Sequence, residues 1–202
     1  TVTAHGLGRR SLVYVFKPLS TSLLLALVAS GPSFLSSPYA IAILAGLFFS
    51  LVGDVFLMLP ADHFRSGLVS FLVAHACYVH AFLHDRPLDV PVAPFAVSFA
   101  VGALVLPAFW AGIPSRLRAP VVVYLALLLV MASLAASRAM QLQDVSAVCA
   151  SAGAALFVLS DSVLAWARFR RPFPAAQVLV HGTYFPAQWL IAVSSFSVWP
   201  IA

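Results

Sequence analysis

Long apolar runs separated by short polar segments fill most of the chain. A membrane-spanning helix needs about 20 mostly apolar residues. The pattern predicts seven such helices, at roughly 11–30, 38–60, 65–84, 91–110, 119–137, 144–167 and 174–197. The segments between them are rich in proline, glycine and charged residues, which favour turns. No repeat or linker interrupts the pattern, so we predict an all-α, polytopic transmembrane helix bundle that forms a single domain over residues 1–202.

Composition supports a multi-pass integral membrane protein. Hydrophobic residues make up 62% of the chain and charged residues only 8%, whereas soluble domains average about a quarter charged residues. The net charge of +5 comes from arginines between the predicted spans, where such residues set membrane topology. We therefore expect the lipid bilayer as the partner, and not nucleic acid.

The distribution of basic residues predicts the orientation. With seven spans, nine of the 11 lysines and arginines lie on one side of the membrane, and only Arg86 and Arg138 lie on the other. The positive-inside rule makes the first side cytoplasmic. Arginine outnumbers lysine ten to one, which favours a GC-rich bacterial genome and hence the inner membrane. The endoplasmic reticulum membrane is the alternative, and the oligomeric state stays open.

Two aspartates interrupt otherwise apolar helices. Asp54 is the only charged residue in "SLVGDVFLML", and Asp161 is the only one in "LFVLSDSVLAW". A carboxylate that faces lipid is costly, so both should face the interior of the bundle or a wet cavity. Each lies about six residues before its predicted span leaves the membrane on the cytoplasmic side, which corresponds to a depth of ~9 Å. The two carboxyl groups are therefore predicted to share one layer near the cytoplasmic leaflet.

Further polar side chains fall in the same layer. His75 and Tyr78 recur at helical spacing on the third span, and His181, Tyr184 and Gln188 do so on the seventh. Lys17, near the start of the first span, is a possible counter-charge. Each of these residues also has a purely structural interpretation, as an interhelical hydrogen-bond partner, a packing aromatic or an interfacial anchor.

A metal site has less support in the sequence. His80 and His84 have the i, i+4 spacing that suits zinc, but their only neighbouring candidate ligands are Asp85 and Asp89. A metal held by His75, His181 and an aspartate is a second arrangement. We predict no metal and no cofactor. A non-enzymatic lipid or small-molecule transporter and a metal-dependent, ceramidase-like lipid hydrolase remain the alternative functions.

Four sequence blocks resemble the YhhN family of membrane proteins, whose characterised members are lysoplasmalogenases. The blocks are "KPLSTSLLLAL", "FSLVGDVFLMLPADHFRSGLVSFLVAHACYVHAF", "LFVLSDSVLAWARF" and "TYFPAQWLIAVSS". Members of the family generally have about eight spans, with one before the lysine–proline pair, where this chain has the short polar "TVTAHGLGRR". The residues that match the family pattern are Lys17, Gly53, Asp54, His75, Tyr78, Ser160, Asp161, Tyr184 and Gln188.

The resemblance implies hydrolysis of the vinyl-ether bond of a lysophospholipid substrate, a lysoplasmalogen, to a fatty aldehyde and glycerophosphoethanolamine or glycerophosphocholine. Acid-catalysed cleavage of a vinyl ether needs a proton donor and a group that activates water. Burial raises the pKa of a carboxyl group, and different surroundings separate the pKa values of two such groups. Asp54 and Asp161 are thus the predicted catalytic dyad, with the two roles unassigned. The predicted substrate-binding residues are Lys17, His75, Tyr78, Ser160, Tyr184 and Gln188.

Overall fold

The computed structural model describes residues 17–31, 34–84 and 91–196, and all regular structure in these ranges is helical. One 3₁₀ turn, Phe34–Ser36, precedes the second helix. The seven α-helices are α1 (Lys17–Ala29), α2 (Pro38–Met58), α3 (Phe64–Leu83), α4 (Val92–Trp110), α5 (Ser115–Leu142), α6 (Val145–Phe169) and α7 (Ala176–Val193). The predicted all-α bundle and the order of its helices are confirmed. Residues 11–16 of the first predicted span lie outside the described ranges.

Local sequence signals fix several helix ends. The Ser37 hydroxyl accepts a hydrogen bond from the Ala40 backbone N–H at 3.2 Å and so caps α2. Asp144 caps α6 in the same way, through the Ala147 N–H at 2.6 Å. Gln143 ends α5 in the left-handed region, with a φ of 52°. This two-residue connection makes α5 and α6 antiparallel neighbours.

The helices α5 and α6 extend further than their apolar runs. The predicted spans 119–137 and 144–167 become Ser115–Leu142 and Val145–Phe169 in the structure. Hydropathy detects only the apolar part of a helix. Arginine, glutamine and serine, which occur at the ends of these helices, also have helix propensities that allow the helix to continue. The helices therefore continue beyond the apolar stretch that the sequence pattern detects.

Within the described ranges, five of the seven helices, α2 to α6, are long and apolar enough to cross a membrane by length and composition. The described part of α1 is shorter than a span, and α7 contains His181, Tyr184 and Gln188 within its 18 residues. Two of these side chains, Tyr184 and Gln188, are buried in the interior of the bundle, as their helical spacing predicted.

The core lies where α2, α3, α5, α6 and α7 meet. Helix α2 packs on α3, α6 packs on α7, and α5 contacts α3, α4 and α6. Leu47, Tyr78, Phe82, Phe157 and Ile191 are almost completely buried in this core. Helix α4 packs mainly on α5 and, of the five helices α2 to α6, buries the smallest share of its residues. The polar residues of the predicted layer therefore lie on α1 and on four of the five helices that meet at the core, α2, α3, α6 and α7.

The two ends of the bundle differ in charge. At one end, Phe169 at the end of α6 contacts Phe64 and Phe109, with ring centroids 5.7 and 6.4 Å away. We call this the arginine-rich end, because the basic residues in and beside its connections are Arg65, Arg116, Arg118, Arg168, Arg170 and Arg171. At the opposite end, the start of α2 meets the end of α7 through the Tyr39 and Ser194 hydroxyls, 2.8 Å apart.

Candidate active site

A buried ion pair joins α1 to α2. The Lys17 Nζ atom lies 2.8 Å from Asp54 Oδ1, and the aspartate side chain is completely buried while the lysine side chain is 11% exposed. The other carboxylate oxygen of Asp54 accepts hydrogen bonds from Tyr184 Oη at 2.8 Å and from Thr21 Oγ1 at 3.4 Å. Lys17 and Thr21 are four residues apart and therefore share the face of α1 that reaches Asp54. The charge of this buried carboxylate is thus compensated by a cation and two hydroxyl donors.

A chain of hydrogen bonds extends from Asp54 into the core. Gln188 Nε2 donates to Tyr184 Oη at 3.0 Å, and Tyr78 Oη donates to Gln188 Oε1 at 2.8 Å. Tyr78 Oη also lies 3.4 Å from the Ser50 hydroxyl. The structure therefore joins the polar residues of α2, α3 and α7 in one network, which fixes the orientation of the Tyr184 phenol.

A glycine allows Tyr78 to take its place in this network. A Cβ atom added at Gly46 would lie 2.2 Å from Cε1 of the Tyr78 ring. Tyr78 is completely buried and its hydroxyl is bonded to Gln188, so the ring has little room to move away. Only a residue without a side chain fits at this contact between α2 and α3.

Asp161 has different surroundings from Asp54. It lies on α6 and accepts a short hydrogen bond from the Tyr124 hydroxyl of α5. Among the described residues, no cation lies within ion-pairing distance of its carboxyl group. Asp161 is half-buried, whereas Asp54 is inaccessible. The two carboxyl groups therefore differ both in charge compensation and in access.

The two aspartates line the same cavity. Its volume is about 80 Å³, and Lys17, Tyr124, Ser160 and Tyr184 also contribute to its polar lining. A polar cavity of this size holds a few water molecules. The remaining lining side chains are apolar, and they include leucines and phenylalanines of α2, α3 and α6, among them Leu57, Leu68, Phe71, Leu164 and Phe169. The arrangement combines two carboxyl groups, a lysine and space for water within apolar walls.

The carboxyl groups do not lie at equal distances from their helix ends. Asp54 is one turn before the end of α2, and Asp161 is two turns before the end of α6. The sequence placed both about six residues before an exit, because its span limits were taken from hydropathy. Helix α6 continues through Arg168 to Phe169, which places Asp161 deeper along its helix than predicted.

Two predicted residues, His75 and Ser160, have mainly structural contacts. His75 is completely buried, and its ring centroid lies 4.8 Å from that of Phe157 and 5.1 Å from that of Tyr124. The Ser160 hydroxyl donates to the Val180 carbonyl at 3.3 Å and so links α6 to α7. Ser160 borders the cavity, whereas His75, Tyr78 and Gln188 are not among the residues that line it.

Sequence reasoning missed Thr21 and Tyr124. Thr21 stands one helical turn after Lys17, so the i, i+4 rule pointed to it once Lys17 was a candidate. Tyr124 is the single polar side chain in the run "VVVYLALLLV". This isolated polar residue in an apolar helix was the signal that could have identified it as a site candidate. Its contact with Asp161 depends on how α5 packs against α6, and a sequence pattern does not contain that information.

A second ion pair, at the arginine-rich end, joins Asp62 in the loop between α2 and α3 to Arg168 near the end of α6. Arg168 Nη2 donates to Asp62 Oδ2 at 2.6 Å, and the guanidinium carbon lies 4.9 Å from the centroid of the Phe64 ring. This hydrogen bond lowers the pKa of Asp62 below its ordinary value. Both side chains are exposed, so the pair adds little to stability. It connects the α2–α3 loop to α6 next to Phe64, which lines the cavity.

The two metal arrangements considered as alternatives do not appear among the described residues, and Asp85 and Asp89, the candidate partners of His80 and His84, lie outside those ranges. No three histidine, cysteine, aspartate or glutamate side chains within those ranges come close enough together to hold a metal ion. The rings of His80 and His84 are 6.5 Å apart. His181 contacts the ring of Phe185, with centroids 5.8 Å apart, and lies outside the network around Asp54.

The chain is thus a helical membrane protein in which a buried lysine–aspartate pair and a second carboxyl group face a small cavity with mostly apolar walls.

The chain belongs to the YhhN family, since the model of that family matches residues 12–195. Over 183 residues it is 31% identical to the uncharacterized membrane protein YhhN of Escherichia coli O157:H7, and the match covers 91% of this chain and 86% of that protein. It is also 34% identical to the human lysoplasmalogenase TMEM86A over 178 residues, which are 85% of this chain and 72% of that protein.

A further human relative, the lysoplasmalogenase TMEM86B, is 34% identical over 163 residues, which are 79% of this chain and 66% of that protein. No solved structure matches the chain.

Proposed function

We propose that this chain is a membrane hydrolase that cleaves the vinyl-ether bond of lysoplasmalogens. The products are a fatty aldehyde and glycerophosphoethanolamine or glycerophosphocholine. Two findings support the proposal. Relatives that align with most of the chain are named lysoplasmalogenases, and two carboxyl groups with different surroundings line one cavity that has space for water.

The reaction proceeds by acid catalysis. A proton is added to the vinyl carbon distal to oxygen, and the carbon next to oxygen becomes part of an oxocarbenium ion. Water attacks that carbon and loses a proton, which gives a hemiacetal. The hemiacetal then breaks its bond to the glycerol oxygen, which takes up a proton, and releases the aldehyde. Overall one water molecule is consumed, so the site needs one group that gives and takes back a proton.

Asp161 is the proton donor in this proposal. The observation that carries the assignment is the contrast in partners: Asp161 is bonded to the neutral Tyr124 phenol, whereas Asp54 is paired with Lys17. A carboxyl group that forms no ion pair and lies in largely apolar surroundings favours its neutral form. Tyr124 donates to one oxygen of Asp161, which leaves the other oxygen to carry the proton toward the substrate. After donation the Asp161 carboxylate stabilises the oxocarbenium ion and accepts the proton of the attacking water.

The pair of Asp54 and Lys17 positions the substrate. Lys17 has three N–H donors, and only one is needed for Asp54, so the ammonium group can also bind the glycerol or phosphate oxygens of a lysolipid in the cavity. Tyr184 is held by Asp54 and Gln188 and borders the same cavity. Tyr78, which does not line the cavity, acts through this network.

His75, Ser160 and the arginine-rich end also have roles in the proposed function. His75 packs against the Tyr124 ring and so positions the partner of Asp161. Ser160 lies beside the substrate on the cavity wall. The arginine-rich end is the cytoplasmic end, because positive charge is retained on that side. The active site then lies near the cytoplasmic leaflet, in the inner membrane of a bacterium.

A substrate comparison tests the reaction class. Protein purified in detergent is incubated with a defined lysoplasmalogen, with its saturated 1-alkyl ether analogue, and with the 1-acyl ester analogue. We expect aldehyde from the vinyl ether and no product from the other two lipids, because only a vinyl carbon forms an oxocarbenium ion on protonation. Fatty acid release from the ester without aldehyde from the vinyl ether would contradict the proposal and favour an ordinary lipid hydrolase.

A further inference from the structure

A single arginine is set apart from the others by its position. Arg138 lies one turn before the end of α5, at the end of the bundle opposite the arginine-rich end. Among the described residues it is the only lysine or arginine at that end. The positive-inside rule does not explain why an arginine lies at this end. Arg138 also has no part in the proposed catalysis.

Arg138 lines a second cavity. This cavity has a volume of about 330 Å³ and lies where the ends of α1, α5 and α7 meet the start of α6. Its walls combine two charged groups, one hydroxyl and several apolar side chains, including Leu27, Arg138, Asp144, Ser146, Val193 and Phe196. It shares no lining residue with the cavity of Asp54 and Asp161.

The guanidinium group of Arg138 is held in place without being neutralised. Its central carbon lies 4.4 Å from the centroid of the Tyr39 ring, and the Tyr39 hydroxyl is fixed by Ser194 at 2.8 Å. Within the described ranges Arg138 has no ion pair, and its Nε atom is buried without a hydrogen-bond partner. A positive charge in this position has unused donors, and a buried donor left unpaired is costly.

Asp144 supplies the opposite charge in the same cavity. One of its carboxylate oxygens caps α6 through the Ala147 N–H, while its side chain remains exposed. Since Asp144 does not pair with Arg138, the cavity presents a separate cation and anion. Both lie within about one turn of the helix ends, which is the depth of lipid headgroups when the helices span a bilayer.

We propose that this cavity binds the zwitterionic phosphoethanolamine group of a phospholipid or of a soluble glycerophosphodiester. The phosphate accepts hydrogen bonds from Arg138, whose planar guanidinium suits two phosphate oxygens. The ammonium group pairs with Asp144. When the ligand is a lipid, its chain lies along Leu27, Val193 and Phe196. The site is separate from the catalytic cavity and does not depend on the catalytic proposal.

Native mass spectrometry of the full, delipidated chain tests the site. The probe is 1-palmitoyl lysophosphatidylethanolamine, whose ester-linked chain lacks the vinyl ether. We expect R138Q to retain one lipid fewer than the parent, or to bind it at least about tenfold more weakly, which corresponds to the loss of about 1.4 kcal/mol. The matched control R171Q, at an exposed arginine of the other end, should retain as many lipids as the parent. Equal retention by R138Q and R171Q would overturn the proposal.

Two further variants keep the test decisive if R138Q does not fold. R138K keeps the positive charge but lacks the planar guanidinium group that binds two phosphate oxygens. We therefore expect it to retain less lysolipid than the parent. D144N retains an oxygen that can cap α6 but loses the charge, so it should lose the preference for lysophosphatidylethanolamine over lysophosphatidic acid. Unchanged binding in both variants would overturn the proposal. If the catalytic proposal alone fails, neither the parent nor R138Q releases aldehyde from a lysoplasmalogen, but R138Q still retains less lysolipid than the parent.

Competition identifies the source of the ligand. Soluble glycerophosphoethanolamine that displaces the lysolipid from the parent, and has no effect on R138Q, would identify a soluble diester as a ligand of this site. Retention that resists the soluble diester but still requires Arg138 would identify a membrane lipid. Displacement that is the same in the parent and in R138Q would contradict the site.

Discussion

Replacing Asp161 with asparagine should lower the rate of aldehyde release at least about a hundredfold, the smallest effect usual for loss of a general acid. The asparagine side chain has nearly the same shape, and its oxygen still accepts the hydrogen bond from Tyr124. It has no acidic proton to give to the vinyl carbon. The measurement is the initial rate of aldehyde formation from a defined lysoplasmalogen, together with the melting temperature of each purified variant.

The control for this variant is D62N, which makes the same chemical change at an exposed aspartate outside the cavity. We expect D62N to keep the parental rate and both variants to keep the parental melting temperature. A D161N protein that melts normally and still releases aldehyde at close to the parental rate would remove Asp161 from the mechanism.

Removing the ammonium group of Lys17 should destabilise the bundle by about 3 kcal/mol or more, because loss of one partner of a buried ion pair leaves the other charge uncompensated. In K17M the completely buried Asp54 carboxylate keeps only the hydrogen bonds from the hydroxyls of Tyr184 and Thr21. The measurement is thermal unfolding in detergent. The matched control is R171M, at an exposed arginine of the same end of the bundle.

The double variant K17M/D54N shows whether the loss of stability in K17M comes from the uncompensated charge of Asp54 or from lost packing of the Lys17 side chain. With both charges removed, most of the lost stability should return, whereas aldehyde release should stay low because the ion pair that binds the substrate is missing. If the losses of K17M and D54N simply add in the double variant, the two side chains do not interact, and the ion pair has no part in stability or in positioning the substrate.

Much of the fold could be predicted from hydropathy alone. Apolar runs of about 20 residues specify membrane helices because the bilayer core has a fixed thickness, so the number and order of the helices follow from the sequence. Helix ends are less certain: α5 begins at Ser115 and ends at Leu142 because polar residues also extend a helix. The same limitation explains why Asp161 lies two turns before the end of α6, further from that end than the sequence predicts.

The candidate site could be predicted only in part. Tyr184 and Gln188 are four residues apart, and helical geometry alone brings them together, as the hydrogen bond between them shows. The burial of polar residues such as Asp54 follows from the cost of exposing them to lipid. Which carboxyl group is paired with Lys17 and which with Tyr124 depends on packing between helices. That contrast, which supports the assignment of roles, was therefore not available from the sequence.

Hydrolysis in deuterated, ¹⁸O-labelled water reveals where the proton and the water oxygen end up. In the proposed reaction the vinyl carbon distal to oxygen is protonated, and water attacks the carbon next to oxygen. Mass spectrometry of the two products is the measurement. The account predicts an aldehyde with one deuterium on the carbon beside the carbonyl group, and a glycerophosphodiester with no ¹⁸O. Incorporation of ¹⁸O into the glycerol hydroxyl would show that water attacks the glycerol carbon instead, and would contradict the account.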